Sequence, residues 1–257
     1  MTSISFVITT SGKNDTSVAQ VINNIQDLKI PDYEILIVGG DSTTINTDSI
    51  VRHVAFDENS KSHITLHGRP GAWTTRKKNL GVESAQKDVV VVMHDYILFR
   101  PDWWVEFEKF GTDWDICIHQ SLCSNGARGD GWRVDRHPML PRYAMVPYDM
   151  IDLSQYMAIQ GNYVCIKRNK YLETPMNENL LWGEEEEMEW SKRIVPKSHI
   201  QCNPNCVIIY GKPRPDDNNH IIDYQTMLNN KHIFDALRAC RMGNFKLIRG
   251  DDYGRAA

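Results

Sequence analysis

The chain has 257 residues, 41% of them hydrophobic and 24% charged, with a formal net charge of −4. This is the balance of an ordinary soluble globular protein, long enough for one sizeable α/β domain, and it gives no electrostatic case for a nucleic-acid or membrane partner. No apolar run approaches a membrane span, and the opening run Ile4–Ile8 is too short and lacks the basic flank of a signal peptide, so a cytoplasmic location is expected. The six scattered cysteines read as reduced thiols rather than staples.

In chain order, Ile4–Thr9 is an apolar run without alternation, as a strand buried on both faces requires. Val18, Val21, Ile22, Ile25 and Leu28 then recur at helical spacing, with Asn14, Asp15 and Thr16 as candidate caps. Tyr33–Val38 is a second buried strand ending in a Gly39-Gly40-Asp41-Ser42 loop; Val51–Phe56 and His63–His67 are shorter strands. Ala72–Gln86 reads as a helix capped near Thr74, and Asp88–Met93 is the strongest strand in the chain. This β-α-β-α-β rhythm predicts a mostly parallel sheet flanked by helices. Ligands of such sheets bind beyond the carboxyl ends of the strands, which directs attention to residues 9–12, 39–42 and 94–96. No glycine pattern of the Rossmann or Walker type follows these strands.

From Ser124 to Asp149 glycines, prolines and the arginines at 128, 133, 136 and 142 alternate with little periodicity, the pattern of a long loop or lid. Tyr163–Lys167 resumes a strand, Glu184–Ile194 a helix, Val207–Tyr210 a strand, and Ile221–Leu237 a final helix that could support a homodimer. His199, Cys202 and Cys206 offer three zinc ligands without a clear fourth, and Asn203-Pro204-Asn205 reads more simply as a turn.

Three clusters carry chemistry. Trp182-Gly183-Glu184-Glu185-Glu186-Glu187-Met188-Glu189-Trp190 sets five glutamates between two tryptophans. On a helix with Trp190 and Ile194 on the buried face, Glu187 points within about 40° of that face and Glu186 within about 60°. Glu185 and Glu189 then point to solvent, and Glu189 can pair with Arg193. A carboxylate aimed inward beside tryptophan is a candidate general base, whereas glutamates that only complement the helix N-terminus are the plainer explanation of Glu184, Glu185 and equally of Glu186. His94-Asp95-Tyr96 ends the strongest strand, where a metal-binding role competes with a hydrogen-bonded structural pair. Arg69 and Arg76-Lys77-Lys78-Asn79 surround a helix start, either as a diphosphate site or as a solvated basic face.

Together these segments resemble the family-2 glycosyltransferases of GT-A fold across most of residues 3–211. The resemblance lies in the two opening strands with Thr9-Thr10 and Gly39-Gly40-Asp41-Ser42, and in Asn79-Leu80-Gly81 followed by His94-Asp95-Tyr96 and Pro101-Asp102-Trp103. It continues through Gly161-Asn162, Asn177-Glu178 and the Trp182–Arg193 segment. It implies a single α/β GT-A domain over residues 1–220, donor half 1–100 and acceptor half 101–220, with 221–257 a C-terminal helix and polar tail. It implies inverting transfer of a hexosyl or pentosyl group from a UDP- or GDP-linked sugar to the hydroxyl of a glycan, small molecule or modified polymer. Glu187, with Glu186, falls at the catalytic base. Thr9, Thr10, Gly40, Asp41, Arg76, Lys78, Asn79, His94, Asp95 and Tyr96 fall on the donor side. Gly161, Asn162 and Trp182 fall on the acceptor side, and Asp95 would hold Mn2+ or Mg2+. The sequence departs from the family in having Glu rather than Asp at the base, His94 and Tyr96 where aspartates are common, Gly39 for an acidic residue, and Tyr210 where a late histidine is usual. These departures leave open a degenerate nucleotide- or glycan-binding relative or a nucleotidyltransferase. A modified nucleic acid as acceptor would use the arginines at 128, 133, 136 and 142.

Overall fold

A computed structural model describes residues 2–12, 15–40, 49–57, 65–66, 69–70, 73–129, 131–135, 143–145, 148–149 and 151–211. In chain order these form β1 (Ile4–Thr9), α1 (Asp15–Asp27), β2 (Tyr33–Val38), β3 (Val51–Val54), the short pair β4 (Thr65–Leu66) and β5 (Arg69–Pro70), α2 (Thr74–Ser84), β6 (Val89–His94), β7 (Ile97–Phe99) and α3 (Trp103–Phe110). There follow β8 (Ile116–Cys123), β9 (Arg133–Asp135), β10 (Tyr143–Met145), β11 (Met157–Ala158), β12 (Tyr163–Lys167), α4 (Arg168–Glu173), α5 (Glu186–Ile194) and β13 (Ile200–Tyr210). The expected helix at 221–237, Asn14 as a cap and Asp41 lie outside the described residues.

Eight strands make one sheet in the order β3-β2-β1-β6-β12-β8-β13-β7. β3, β2, β1 and β6 are all parallel, as the sequence rhythm predicts. Beyond β6 the sheet becomes mixed: β12 is antiparallel to β6 and to β8, β13 is parallel to β8, and β7 is antiparallel to β13. Strands buried on both faces split their side chains by parity. Phe6, Ile8, Ile35, Ile37, Val91 and Met93 pack with α1 and with Trp103 and Phe107 of α3. Val7, Leu36, Val38, Val90 and Val92 pack on the other face with Val82 of α2 and with Trp190 and Ile194 of α5. The unalternating apolar runs thus feed two cores separated by one sheet. α2 sits unusually close to β1, because a Cβ on Gly81 would lie 2.2 Å from Val7 Cγ1.

Several local expectations change. Thr74 is the first residue of α2 rather than its cap, and the cap residue, Trp73, makes no side-chain capping bond. α5 begins two residues later than predicted, because Glu185 adopts a left-handed conformation (φ 58°) and interrupts the run. Asn203-Pro204-Asn205 is no turn between elements; it lies inside β13, where the register against β8 shifts between Asn203 and Val207. A bulge supplies the local bend that the Asn-Pro-Asn composition suggested. α3 and β8 form where no element was expected. His119 interrupts the apolar run of β8, yet it is buried among Trp103, Phe107 and Tyr163, and burial pushes its imidazole down to about 3. Part of the stretch expected as a loop is structured, because β9 pairs antiparallel with both β10 and β11. The five described cysteines, Cys117, Cys123, Cys165, Cys202 and Cys206, are free and buried. Among the described residues no helix is long and apolar enough to cross a membrane.

Candidate active site

The parallel strands deliver their carboxyl ends to one edge of the sheet, and that edge carries the site. Thr9 ends β1 and Thr10 follows it, both buried. Thr9 Oγ1 donates to the Met93 carbonyl at 3.2 Å, and Thr10 Oγ1 donates to Asp95 Oδ2 at 2.7 Å. The ends of β1 and β6 are thereby tied together. Gly40 (φ +75°) follows β2, and a Cβ there would sit 2.7 Å from Gly12 Cα. Only glycine permits both the left-handed backbone and this approach of two loops. His94 and Tyr96 pair with each other, Nδ1 to hydroxyl at 3.2 Å.

A pocket of about 200 Å³ opens at this edge, lined by Thr9, Thr10, Ser11, Thr74, Lys77, His94, Asp95 and Trp182. A larger groove of about 680 Å³ lies at the amino ends of β8 and β13, lined by residues such as Phe110, Ser154, His199 and Cys202. Among the described residues that groove is lined by no carboxylate, whereas the smaller pocket brings Asp95 beside Lys77.

The antiparallel return of β12 brings Gly161 and Asn162, expected on the acceptor side, to the same edge. Tyr163 pairs with Met93, and the Asn162 carbonyl accepts from the His94 amide at 3.1 Å. Gly161 therefore sits between the sheet edge and α5. A Cβ on Gly161 would meet Glu187 Cβ and Cδ, each at 3.3 Å, so the glutamate side chain lies along the Gly161 backbone. Lys78, nearly buried, donates to the Gly161 carbonyl at 2.5 Å. Burial lowers the Lys78 ammonium from its ordinary range, against the opposing pull of Glu186 and Glu187.

The glutamate run separates as helix geometry predicts in part. Glu189 and Arg193 form a two-point pair at 2.6 and 2.9 Å. Trp190 is buried and donates to the Thr174 carbonyl at 2.6 Å. The inward ranking of Glu186 and Glu187 reverses, because Glu186 is only 4% exposed while the Glu187 side chain is 24% exposed. As the first helical residue, Glu186 folds back to accept from the Gly183 amide at 3.1 Å. Burial holds its carboxyl above the usual range, and the charge of Glu187 adds to that rise. Glu187 keeps partial access to solvent. Its Oε1 pairs with Arg133 at 3.2 Å, and its Oε2 accepts no hydrogen bond from the described residues.

The basic helix start does not act as one patch. Arg76 turns to Glu178 at 2.9 Å and Glu83 at 3.1 Å. Asn79 is buried and bonded to Met176, Glu178 and Tyr171, so it pins the 174–180 segment rather than lining the pocket. Lys77, part of the basic cluster read as a possible diphosphate site but not among the donor-side residues the resemblance implies, faces the pocket and donates to the Thr10 carbonyl at 2.7 Å. The missed signal was Gly81. A glycine in α2 marks the side packed on β1, and Lys77, four residues earlier, shares that side one turn nearer the sheet edge. Trp182, expected on the acceptor side, is 52% exposed and also lines the pocket. Arg128 stacks on Tyr148 at 3.9 Å and Arg133 meets Glu187, so neither contributes to an open basic surface; Arg136 and Arg142 lie outside the described residues.

Among the described residues no three His, Cys, Asp or Glu side chains converge as a metal centre. Among the described residues Asp95 is the one carboxylate lining the pocket, and one of its oxygens accepts from Thr10. A single carboxylate suits Mg2+ or Mn2+ arriving with a diphosphate, whose oxygens and water complete the shell, better than a resident ion.

No protein-family model and no curated protein matches the chain. Solved structures do match. One is S. aureus TarS, residues 1–349, in complex with UDP-GlcNAc: TM-score 0.58, 13% identity, covering 97% of this chain and 69% of that one. Another is GalNAc-T7 with UDP, GalNAc and Mn2+: TM-score 0.57, 11% identity, covering 88% of this chain and 45% of that one. S. aureus TarS in its longer form gives a TM-score of 0.56 at 12% identity. This chain spans under half the length of GalNAc-T7 and of the longer TarS. Both neighbours are GT-A-type glycosyltransferases, and the present chain has their fold.

Proposed function

We propose that this chain is a glycosyltransferase that moves a sugar from a nucleotide-diphosphate donor to an acceptor hydroxyl with inversion, using Glu187 as the base. The carrying observation is the side chain of Glu187 laid along Gly161, at the same sheet edge as the Thr10–Asp95 pocket. UDP is the first donor nucleotide to test, since both neighbours were crystallised with UDP or a UDP-sugar.

In this reading, the donor diphosphate enters the pocket at Thr9, Thr10 and Asp95, and Trp182 packs against the ligand at its mouth. Asp95 would hold Mn2+ or Mg2+, which supplies charge neutralisation to the departing diphosphate. Arg133 fixes Glu187 Oε1, leaving Oε2 to take the proton of the acceptor hydroxyl. The acceptor oxygen then bonds to the anomeric carbon from the face opposite the diphosphate. The bond to the diphosphate oxygen breaks with its electron pair, so configuration inverts. Gly161 and Asn162 supply the acceptor-side wall, and the buried Glu186 sets the start of α5 behind the base. Whether the sugar is a hexose or a pentose, and which acceptor takes it, depends on the loops around this edge.

The test is single-turnover transfer or donor hydrolysis with UDP- and GDP-linked sugars, comparing wild type with Glu187→Gln. Loss of about 100-fold or more in turnover, with nucleotide binding retained, is expected from removal of a general base. Unchanged turnover in the variant would remove Glu187 from the reaction. No nucleotide binding by the wild type in Mn2+ would sink the transferase reading as a whole.

A further inference from the structure

Lys78 stands one residue beyond the pocket-lining Lys77, and a step of about 100° along α2 turns it away from the pocket. It is only 3% exposed, and among the described residues its ammonium makes one hydrogen bond, to the Gly161 carbonyl at 2.5 Å, and no ion pair. Taking an ammonium out of water with so few acceptors is costly, and packing alone would be served as well by an apolar side chain of similar length. Burial lowers the ammonium from the ordinary lysine range, and the charges of Glu186 and Glu187 oppose that shift. The acceptor of its one hydrogen bond belongs to the residue on which Glu187 rests, since a Cβ on Gly161 would lie 3.3 Å from Glu187 Cβ and Cδ. Glycine has no side chain with which to hold its own peptide in place. Its neighbours do not hold it either, because Gln160 Nε2 and Asn162 Oδ1 are buried without a partner. The loop is therefore anchored by backbone groups at two points, Asn162 on the His94 amide of β6 and Gly161 on Lys78 of α2. The charged groups around Glu187 are Lys78 from α2, Arg133 from β9, paired at 3.2 Å, and Glu186 from α5 itself.

We infer that Lys78 is a positioning residue for the base: its ammonium fixes the Gly161 peptide and, through it, the place at which the Glu187 carboxylate stands at the sheet edge. The inference rests on the reading of Glu187 as the base, and it takes Lys78 out of the donor-side set that the family resemblance implies. In this role Lys78 touches neither donor nor acceptor. A charged donor suits the task, because a charge-assisted hydrogen bond is shorter and about twice as strong as a neutral one. Arg133 then holds the carboxylate end of Glu187 directly, while Lys78 holds the backbone beneath its side chain.

The experiment is a double-mutant cycle on the single-turnover hydrolysis of UDP- and GDP-linked sugars by the full chain in Mn2+. It compares wild type, Lys78→Met, Gly161→Ala and the double variant, with calorimetric titration of UDP and GDP into each. Lys78→Met should lower turnover about ten- to a hundredfold, the scale of a 1 Å misplacement of a reacting group, with nucleotide affinity unchanged. The double variant should lose no more than Lys78→Met does alone, since both substitutions act on one contact. A lysine with a merely structural role would leave the two losses to multiply. Multiplied losses, unchanged turnover in Lys78→Met, or weaker nucleotide binding at unchanged turnover would each overturn the inference and leave Glu187 as the base. Should Lys78→Met fail to fold, as its thermal melt would reveal, Lys78→Gln, which keeps a neutral N–H donor, takes its place in the cycle and the same outcomes decide. A wild type that binds nucleotide but turns over none of these sugars would overturn the assignment of the base and this inference with it. A wild type that binds neither nucleotide would overturn the transferase reading as a whole.

Discussion

Glu187 and Gly161 are in side-chain-to-backbone contact: the glutamate Cβ, Cγ and Cδ all lie within 3.4 Å of where a Cβ on Gly161 would stand. One comes from the loop before an antiparallel strand and the other from a helix on the sheet face. The contact sets the distance between the Glu187 carboxylate and the sheet edge.

Gly161→Ala tests that contact. The added methyl must displace the Glu187 side chain by a few tenths of an ångström, against the Arg133 pair that holds it. Small misplacements of a reacting group cost rate steeply, up to about 100-fold for 1 Å. The expected result is a drop of several-fold to about tenfold in kcat, with donor affinity and melting temperature close to wild type. A fall in donor affinity with kcat unchanged would mean that Gly161 serves the donor and not the base.

Gly81→Val tests the packing that holds the donor edge in place. Its side chain would enter the space of Val7, a stiff, fully buried residue of the central strand. Overpacking of this kind costs about 1–3 kcal/mol. A lower urea midpoint with an unchanged slope is expected, since compactness should not alter. Wild-type stability in this variant would show that α2 can move away from β1 freely, and with it the position of Lys77.

The buried Glu186 makes a pH prediction. Its carboxyl is held above the ordinary glutamate range, chiefly by burial and further by the charge of Glu187. The folded protein therefore holds this proton more tightly than the unfolded chain does. The stability so gained is fully present below the unfolded value and is lost as pH rises through the folded one. Glu186→Gln should flatten this part of the stability curve, so the variant gains on wild type as pH rises from about 4 towards 7. Denaturant titrations of both proteins at several pH values would check this. Parallel curves would mean that Glu186 ionises as freely when folded as when unfolded.

The parallel half of the sheet was legible in the residues alone, because β1, β2 and β6 are mainly apolar runs without alternation, buried on both faces, and such runs have few other stable arrangements. The sequence by itself also determined which end of the sheet to search and the Glu189–Arg193 pair, since both follow from local period and strand direction. The order of burial within the glutamate run was decided by tertiary structure. The left-handed Glu185 delays the start of α5, and only then does Glu186 become a capping residue while Glu187 reaches the edge.

Tertiary structure likewise decided which of Arg76, Lys77, Lys78 and Asn79 enters the pocket. Neighbours on a helix differ by about 100° in direction, and the sheet contact at Gly81 fixes the rotation of α2. Strand β8 was hidden for a related reason. Its His119 is polar in sequence, but aromatic partners from α3 and β12 make it part of the core. Local pattern sets which elements form and which faces are apolar. Contacts between residues far apart in the chain, such as Thr10 with Asp95, Lys78 with Gly161 and Arg133 with Glu187, set which side chains meet, and no period in the sequence encodes those pairings.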